Sequence, residues 1–122
     1  MSAYQAVGRF VTVVLMVVIF LLALAPREVL PTVEGWNDKG EHILAFAVLA
    51  IGYAVFWAPE RWRLIAGLTM YGVLIEIAQS LTPCRQASLL DVLADIAGIV
   101  LGLLVVAPLR RLFRWPVPGS PG

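Results

Sequence analysis

Apolar residues fall in four long runs, at positions 10–25, 43–58, 64–81 and 89–107, with polar residues collected between them. Each run covers roughly 16–19 residues, close to the ~20 that cross a bilayer core, and one more turn at the ends makes each long enough. No period-2 alternation is visible, and backbone groups in lipid are satisfied within a helix but not in an open strand. Pro26, Pro59, Pro83 and Pro108 follow the four runs closely, where a residue without an N–H acts as a helix stop. The pattern predicts helices at about 8–25, 40–58, 62–82 and 88–108, in one domain over 1–115. The Pro/Gly-rich segment 116–122 reads as a disordered tail. The second and third connections span only a few residues, so successive helices are antiparallel neighbours. The expected fold is all-α, a four-transmembrane-helix bundle.

The first run has features of a signal peptide, with Arg9 ahead of it and Ala23-Leu24-Ala25 behind. Pro26 would follow the cut, a poor cleavage context, so the run is read as a retained helix. Lys and Arg counts then orient the bundle. Arg9, Arg61, Arg63, Arg110, Arg111 and Arg114 fall at one end; Arg27, Lys39 and Arg85 fall at the other. The positive-inside rule puts both termini in the cytoplasm and the segments 26–41 and 82–88 outside. Trp57, Trp62 and Trp115 suit the inner aromatic belt and Trp36 the outer one. The expected location is a bacterial cytoplasmic membrane.

Composition agrees with that solvent. Of 122 residues, 61% are hydrophobic, more than a soluble domain of this size can hide. A net charge of +1 gives no basis for nucleic-acid binding. Cys84 is the single cysteine, which excludes an internal disulfide. With one Cys and one His there is no zinc-type ligand spacing, so no residue is assigned to a metal, and the sequence names no cofactor.

Against this background, five of the eight acidic residues and the only His lie in two short stretches. Asp38, Lys39, Glu41 and His42 surround the start of helix 2. Glu76 and Gln79 end helix 3, Arg85 lies in the turn, and Asp91 and Asp95 begin helix 4. The topology brings both stretches to the outer side. At a rise of ~1.5 Å per residue, Glu76 and Asp95 both lie roughly 8–9 Å inside the boundary, with His42, Gln79 and Asp91 within about one turn of it. Asp38 and His42 are one turn apart. Thr69, Gly72, Glu76 and Gln79 share one face of helix 3, and Asp91, Asp95, Gly98 and Gly102 one face of helix 4. Gly72, Gly98 and Gly102 read as close-packing positions. The stripes predict that helices 2, 3 and 4 meet around an outward-facing polar pocket, with helix 1 outside them against lipid. Two nearby carboxylates at one depth cannot both ionise cheaply, so one holds a proton, or Lys39, Arg85 or a cation offsets the charge.

These residues carry a resemblance. The stretches Asp38-Lys39-x-x-His42-x-x-x-Phe46-x-x-Leu49, Gly72-x-x-x-Glu76-x-x-Gln79, Pro83-x-Arg85-x-x-Ser88-x-x-Asp91 and Ala94-Asp95-x-x-Gly98-x-x-x-Gly102 are similar to the pattern of the VanZ-like family of small bacterial membrane proteins. The similarity covers positions 38–102. The chain departs from the family's usual Asn at Asp95, which adds a charge beside Glu76. The resemblance implies a four-helix integral membrane protein and antibiotic-resistance-like biology, since the founding member is associated with resistance to the glycopeptide teicoplanin.

Each polar residue has a plain structural reading beside the functional one. Glu76 and Gln79 either bind a ligand or hydrogen-bond between helices. Arg85 either contacts lipid phosphate or closes over the pocket as an anion binder. His42 either is oriented by Asp38 at a helix start or serves as base or metal ligand; one His with several carboxylates supplies enough donors for a divalent metal and metal-run hydrolysis or transfer. Asp91 also suits the positive end of a helix. Two function classes follow. In one, the pocket of His42, Glu76, Gln79, Arg85, Asp91 and Asp95, supported by Asp38 and Lys39, binds or modifies an envelope molecule: a lipid headgroup, a lipid-linked cell-wall intermediate or a glycopeptide-type antibiotic. In the other, the chain is an accessory or structural subunit of a larger membrane complex. Whether the chain is an enzyme is left open by both.

Overall fold

The computed structural model describes residues 1–25, 38–82 and 88–113, without the side chains of Asp38 and Phe113. Among these residues all regular structure is helical. The helices are α1 (Ala3–Leu24), α2 (Asp38–Phe56), α3 (Arg61–Ser80) and α4 (Leu89–Phe113). The expected tail, Trp36, Arg85 and Trp115 lie outside the described residues, as do Pro26 and Pro83.

By length and composition, three helical stretches can cross a membrane: Ala3–Leu24, Lys39–Phe56 and Leu89–Leu112. Helix α3 is not among them, because Arg61, Arg63, Glu76 and Gln79 dilute its apolar residues. The exposed side chains nevertheless include Leu74 and Ile77 of α3, as well as Val7, Phe10, Val17 and Leu21 of α1 and Leu93 and Leu104 of α4. Exposed apolar surface of this extent marks a membrane or protein contact.

Two ends depart from the expected boundaries. Helix α1 begins several residues before position 8. Ser2 caps it: its Oγ accepts from the Gln5 N–H at 3.1 Å, and the Gln5 Oε1 accepts from the Ser2 N–H at 3.1 Å. This reciprocal box satisfies two N–H groups that a helix start leaves unpaired. At the other end, Pro108 does not stop α4, which continues to Phe113. An interior proline removes its own N–H bond and crowds the carbonyl four residues earlier, but apolar surroundings favour keeping the remaining backbone paired. Arg110 anchors this last section by donating to the Ala54 carbonyl of α2.

The core forms where α2 packs on α4, the most extensive helix pair. Phe46, Leu49, Ala50, Ile75 and Ile99 are at its centre, at most 1% exposed. Glycine makes the approach close. A Cβ at Gly98 would strike the Ile43 backbone, and one at Gly102 would lie 2.6 Å from the Ala47 carbonyl. Helix α1 lies against α2 and α3 more sparsely. Its Gly8 accommodates the Phe56 ring, and Thr12 sits where a Cβ on Gly52 would be. The Tyr71 hydroxyl donates to the Met16 carbonyl.

These contacts fix which ends coincide. Arg9 donates to the Phe56 carbonyl at 3.0 Å and lies 5.3 Å from the Trp57 ring centre, joining the start of α1 to the end of α2. Arg110 brings the end of α4 to the same place. An open apolar groove of about 310 Å³, lined by Met16, Tyr53, Trp57, Leu64 and Leu68 among others, is also at this end. The polar cluster is at the opposite one.

Candidate functional site

The opposite end gathers the start of α2, the end of α3 and the start of α4. Helix α2 presents Lys39 and His42 one turn apart. Helix α4 presents Asp91 and Asp95, also one turn apart, with Asp91 in the first turn, where the helix dipole favours a carboxylate. Helix α3 brings Glu76 on its buried face, which also carries Leu64, Leu68, Tyr71, Gly72, Ile75 and Gln79.

The contacts are specific. His42 Nδ1 lies 2.7 Å from Asp95 Oδ1, and the other ring nitrogen, Nε2, lies 3.9 Å from Asp91 Oδ2. Lys39 Nζ forms an ion pair with Asp91 Oδ1. Glu76 Oε2 accepts the Ser88 backbone N–H at 2.8 Å. Ser88 in turn accepts the Leu90 N–H on its Oγ at 3.2 Å, which starts α4. Glu76 thus holds Ser88, the residue just before α4, from the last turns of α3. Asp95 is fully buried, and Glu76 and Asp91 are 7% and 5% exposed. One donor atom from each of His42, Glu76 and Asp91 lies within 4.8 Å of the others.

Several acceptors in this region remain unused. Among the described residues, Glu76 Oε1, Asp95 Oδ2 and Gln79 Oε1 are buried without a hydrogen-bond partner. Asp95 Oδ2 points toward Gly72, where a Cβ would come within 2.6 Å of it. A buried carboxylate oxygen with no donor is expensive in an apolar surrounding. Among the described residues, the cluster therefore holds more acceptors than donors.

The cluster unites His42, Glu76, Asp91, Asp95 and Lys39. Gln79 stands apart from the contacts of that cluster: its Nε2 donates to the Ala23 carbonyl at 2.9 Å, tying the end of α3 to the end of α1. Helix α1 is thus joined to the polar end. The carboxylate that takes the His42 ring is Asp95, from a different helix; the side chain of Asp38, like Arg85, lies outside the described residues. The sequence pattern did not single out Ser88 as the group that engages Glu76, because a backbone N–H carries no residue signature. The sequence offered His42 with the carboxylates as metal donors but not which ones; that Glu76 and Asp91 are the two converging with it was not legible, since their separations match no local metal motif.

Comparisons with protein-family models, with curated proteins and with solved structures find no match to this chain. Functional inference therefore rests on the site itself.

Proposed function

We propose that the chain is a VanZ-like membrane protein of the bacterial cytoplasmic membrane, a four-span bundle with both termini inside. Its outward-facing polar end binds or modifies an envelope molecule. Orientation rests on Arg9, Arg61, Arg63, Arg110 and Arg111, which belong to the helix ends opposite the carboxylate cluster. Helix α3 is the fourth span in this reading. Its 20 residues reach ~30 Å, and Glu76 and Gln79 are buried against its neighbours.

The observation that carries the binding reading is the set of buried acceptors without a partner among the described residues, Glu76 Oε1 and Asp95 Oδ2, beside His42 at one end of the bundle. Acceptors in that position suit a ligand rich in hydroxyl or ammonium donors. A lipid headgroup, a lipid-linked saccharide and an amphiphilic glycopeptide all meet that description. The Asp95–His42 pair also holds the ring as an acid–base group needs to be held, which supports modification as well as binding.

Extraction in a mild detergent followed by native mass spectrometry tests the reading. The wild-type chain is expected to carry an amphiphile that Glu76→Gln loses while remaining inserted. A deletion strain and the Glu76→Gln strain should share an altered sensitivity to glycopeptide or detergent. Unchanged sensitivity in both, together with stoichiometric recovery of a large protein partner, would favour the accessory-subunit role instead.

A further inference from the structure

We infer that His42, Glu76 and Asp91 form a binding site for one divalent first-row transition cation, of the Zn²⁺ or Mn²⁺ class. Three independent features lead there. The first is convergence: one donor atom from each residue lies within 4.8 Å of the other two, and the residues come from three different helices. Donors about 2.0–2.2 Å from a shared ion are ~3–3.5 Å apart, so occupancy requires side-chain movements of about 1 Å and no change in the helices.

The second feature is an unfilled valence. Glu76 is buried, its Oε2 is held by the Ser88 N–H, and its Oε1 has no hydrogen-bond partner among the described residues. The third is the orientation of the ring. Asp95, fully buried, engages His42 Nδ1 and leaves Nε2 facing Asp91. A carboxylate on one imidazole nitrogen with the metal on the other is the usual way a ligating histidine is held. Asp95 is then a positioning residue for His42 and not itself a ligand.

Charge supports the same assignment. Among the described residues of the cluster, the three carboxylates Glu76, Asp91 and Asp95 face one ammonium, Lys39. With His42 neutral, two negative charges remain in a largely buried site, and one divalent ion balances them. An imidazole donor argues for a transition ion over Mg²⁺ or Ca²⁺, which prefer all-oxygen sites. Three protein ligands leave further coordination positions for a water or a ligand oxygen. This inference stands on the cluster alone and does not require the envelope-molecule reading.

The test uses the purified full chain in detergent, stripped with a chelator and then titrated with Zn²⁺ and with Mn²⁺. Elemental analysis after gel filtration is expected to give one ion per chain. Co²⁺ loaded in their place should give visible d–d bands that report a nitrogen and oxygen ligand set. His42→Ala, Glu76→Gln and Asp91→Asn should each abolish stoichiometric binding. Asp95→Asn should keep the stoichiometry and weaken affinity about 10–100-fold, as loss of a carboxylate behind a ligating ring does. Lys39→Met should bind at least as tightly as wild type, because it removes a like charge. Circular dichroism and the elution volume verify that each variant is folded, and a cation-induced rise in the wild-type melting temperature gives a readout that needs no variant. Absence of stoichiometric uptake by the wild-type chain overturns the inference, and so does uptake that survives in folded Glu76→Gln and Asp91→Asn. In that event a protonated His42 between Asp91 and Asp95 offsets one of the two negative charges. A lost cation with a retained amphiphile separates this inference from the proposed function.

Discussion

The His42 ring and the Asp95 carboxylate meet at 2.7 Å across the α2–α4 interface, although 53 positions separate them in the chain. The pair has consequences at two scales. Locally it fixes which ring nitrogen is available. Globally it places a polar contact on the same interface that Gly98 and Gly102 make close. An Asp in this setting adds a charge that an Asn would not, while both can accept from His42 Nδ1. Asp95→Asn is therefore expected to change stability by less than about 1 kcal/mol, whereas Asp95→Ala leaves the half-buried ring nitrogen without this acceptor and costs about 1–3 kcal/mol. Thermal unfolding in detergent should rank Asn above Ala. An equal loss for the two would mean that the ring does not depend on this acceptor.

Gln79 separates a structural role from a ligand role. Its amide nitrogen bonds the Ala23 carbonyl at 2.9 Å, where α1 ends. Gln79→Leu keeps most of the volume and removes the donor. It is expected to destabilise the fold by ~1 kcal/mol and to increase hydrogen exchange at residues 20–25, with cation uptake by His42, Glu76 and Asp91 unchanged. If cation uptake fell while exchange at the end of α1 stayed the same, Gln79 would belong to the site.

Glycine positions provide an internal contrast. At Gly98 a new Cβ meets the Ile43 backbone oxygen and Cα, which cannot swing aside as a side-chain tip can. Gly98→Ala must push α2 and α4 apart and is expected to cost about 1–3 kcal/mol. At Gly67 nothing lies within 4 Å of such a Cβ. Gly67→Ala there adds only helix propensity and is expected to be neutral or stabilising by up to ~1 kcal/mol. Denaturation of both variants in one detergent checks the contrast. Similar melting temperatures would refute the close α2–α4 approach.

How much of this was legible in the chain depends on the kind of signal. Helix existence and order were, because four apolar runs with proline or glycine between them leave few other arrangements. The polar end was also legible: antiparallel helices return Lys39 and His42 to the level of Glu76, Asp91 and Asp95. The start of α1 was present as Ser2-x-x-Gln5 but is easily passed over beside the stronger apolar run that follows. The continuation of α4 past Pro108 was not legible, since a proline reads as a helix stop and says nothing of Arg110 reaching the Ala54 carbonyl. The partner of His42 was not legible either. Spacing offers Asp38 one turn away, and only the packing of α2 on α4 brings in Asp95. Composition likewise hides how α3 is sheltered, because the cover over Glu76 and Gln79 comes from other helices.

The link between α2 and α3 stores a local conflict that a single change can relieve. Ala58 has a φ of 46°, in the left-handed region, immediately before Pro59. Its N–H caps α2 by bonding the Tyr53 carbonyl at 3.1 Å. A residue with a Cβ pays about 1–2 kcal/mol in this conformation, and glycine avoids the clash at the cost of more freedom in the unfolded chain. Glycine is also the residue most often found just past a helix end. Ala58→Gly is therefore expected to stabilise the fold by ~0.5–1 kcal/mol net, with the Arg9–Trp57 contact kept. The check is a melting curve in detergent paired with Trp emission: a higher midpoint with an unshifted spectrum is the expected result. A lower midpoint would show that Ala58 is not held in the left-handed region in the membrane protein, and that the turn into α3 has another geometry.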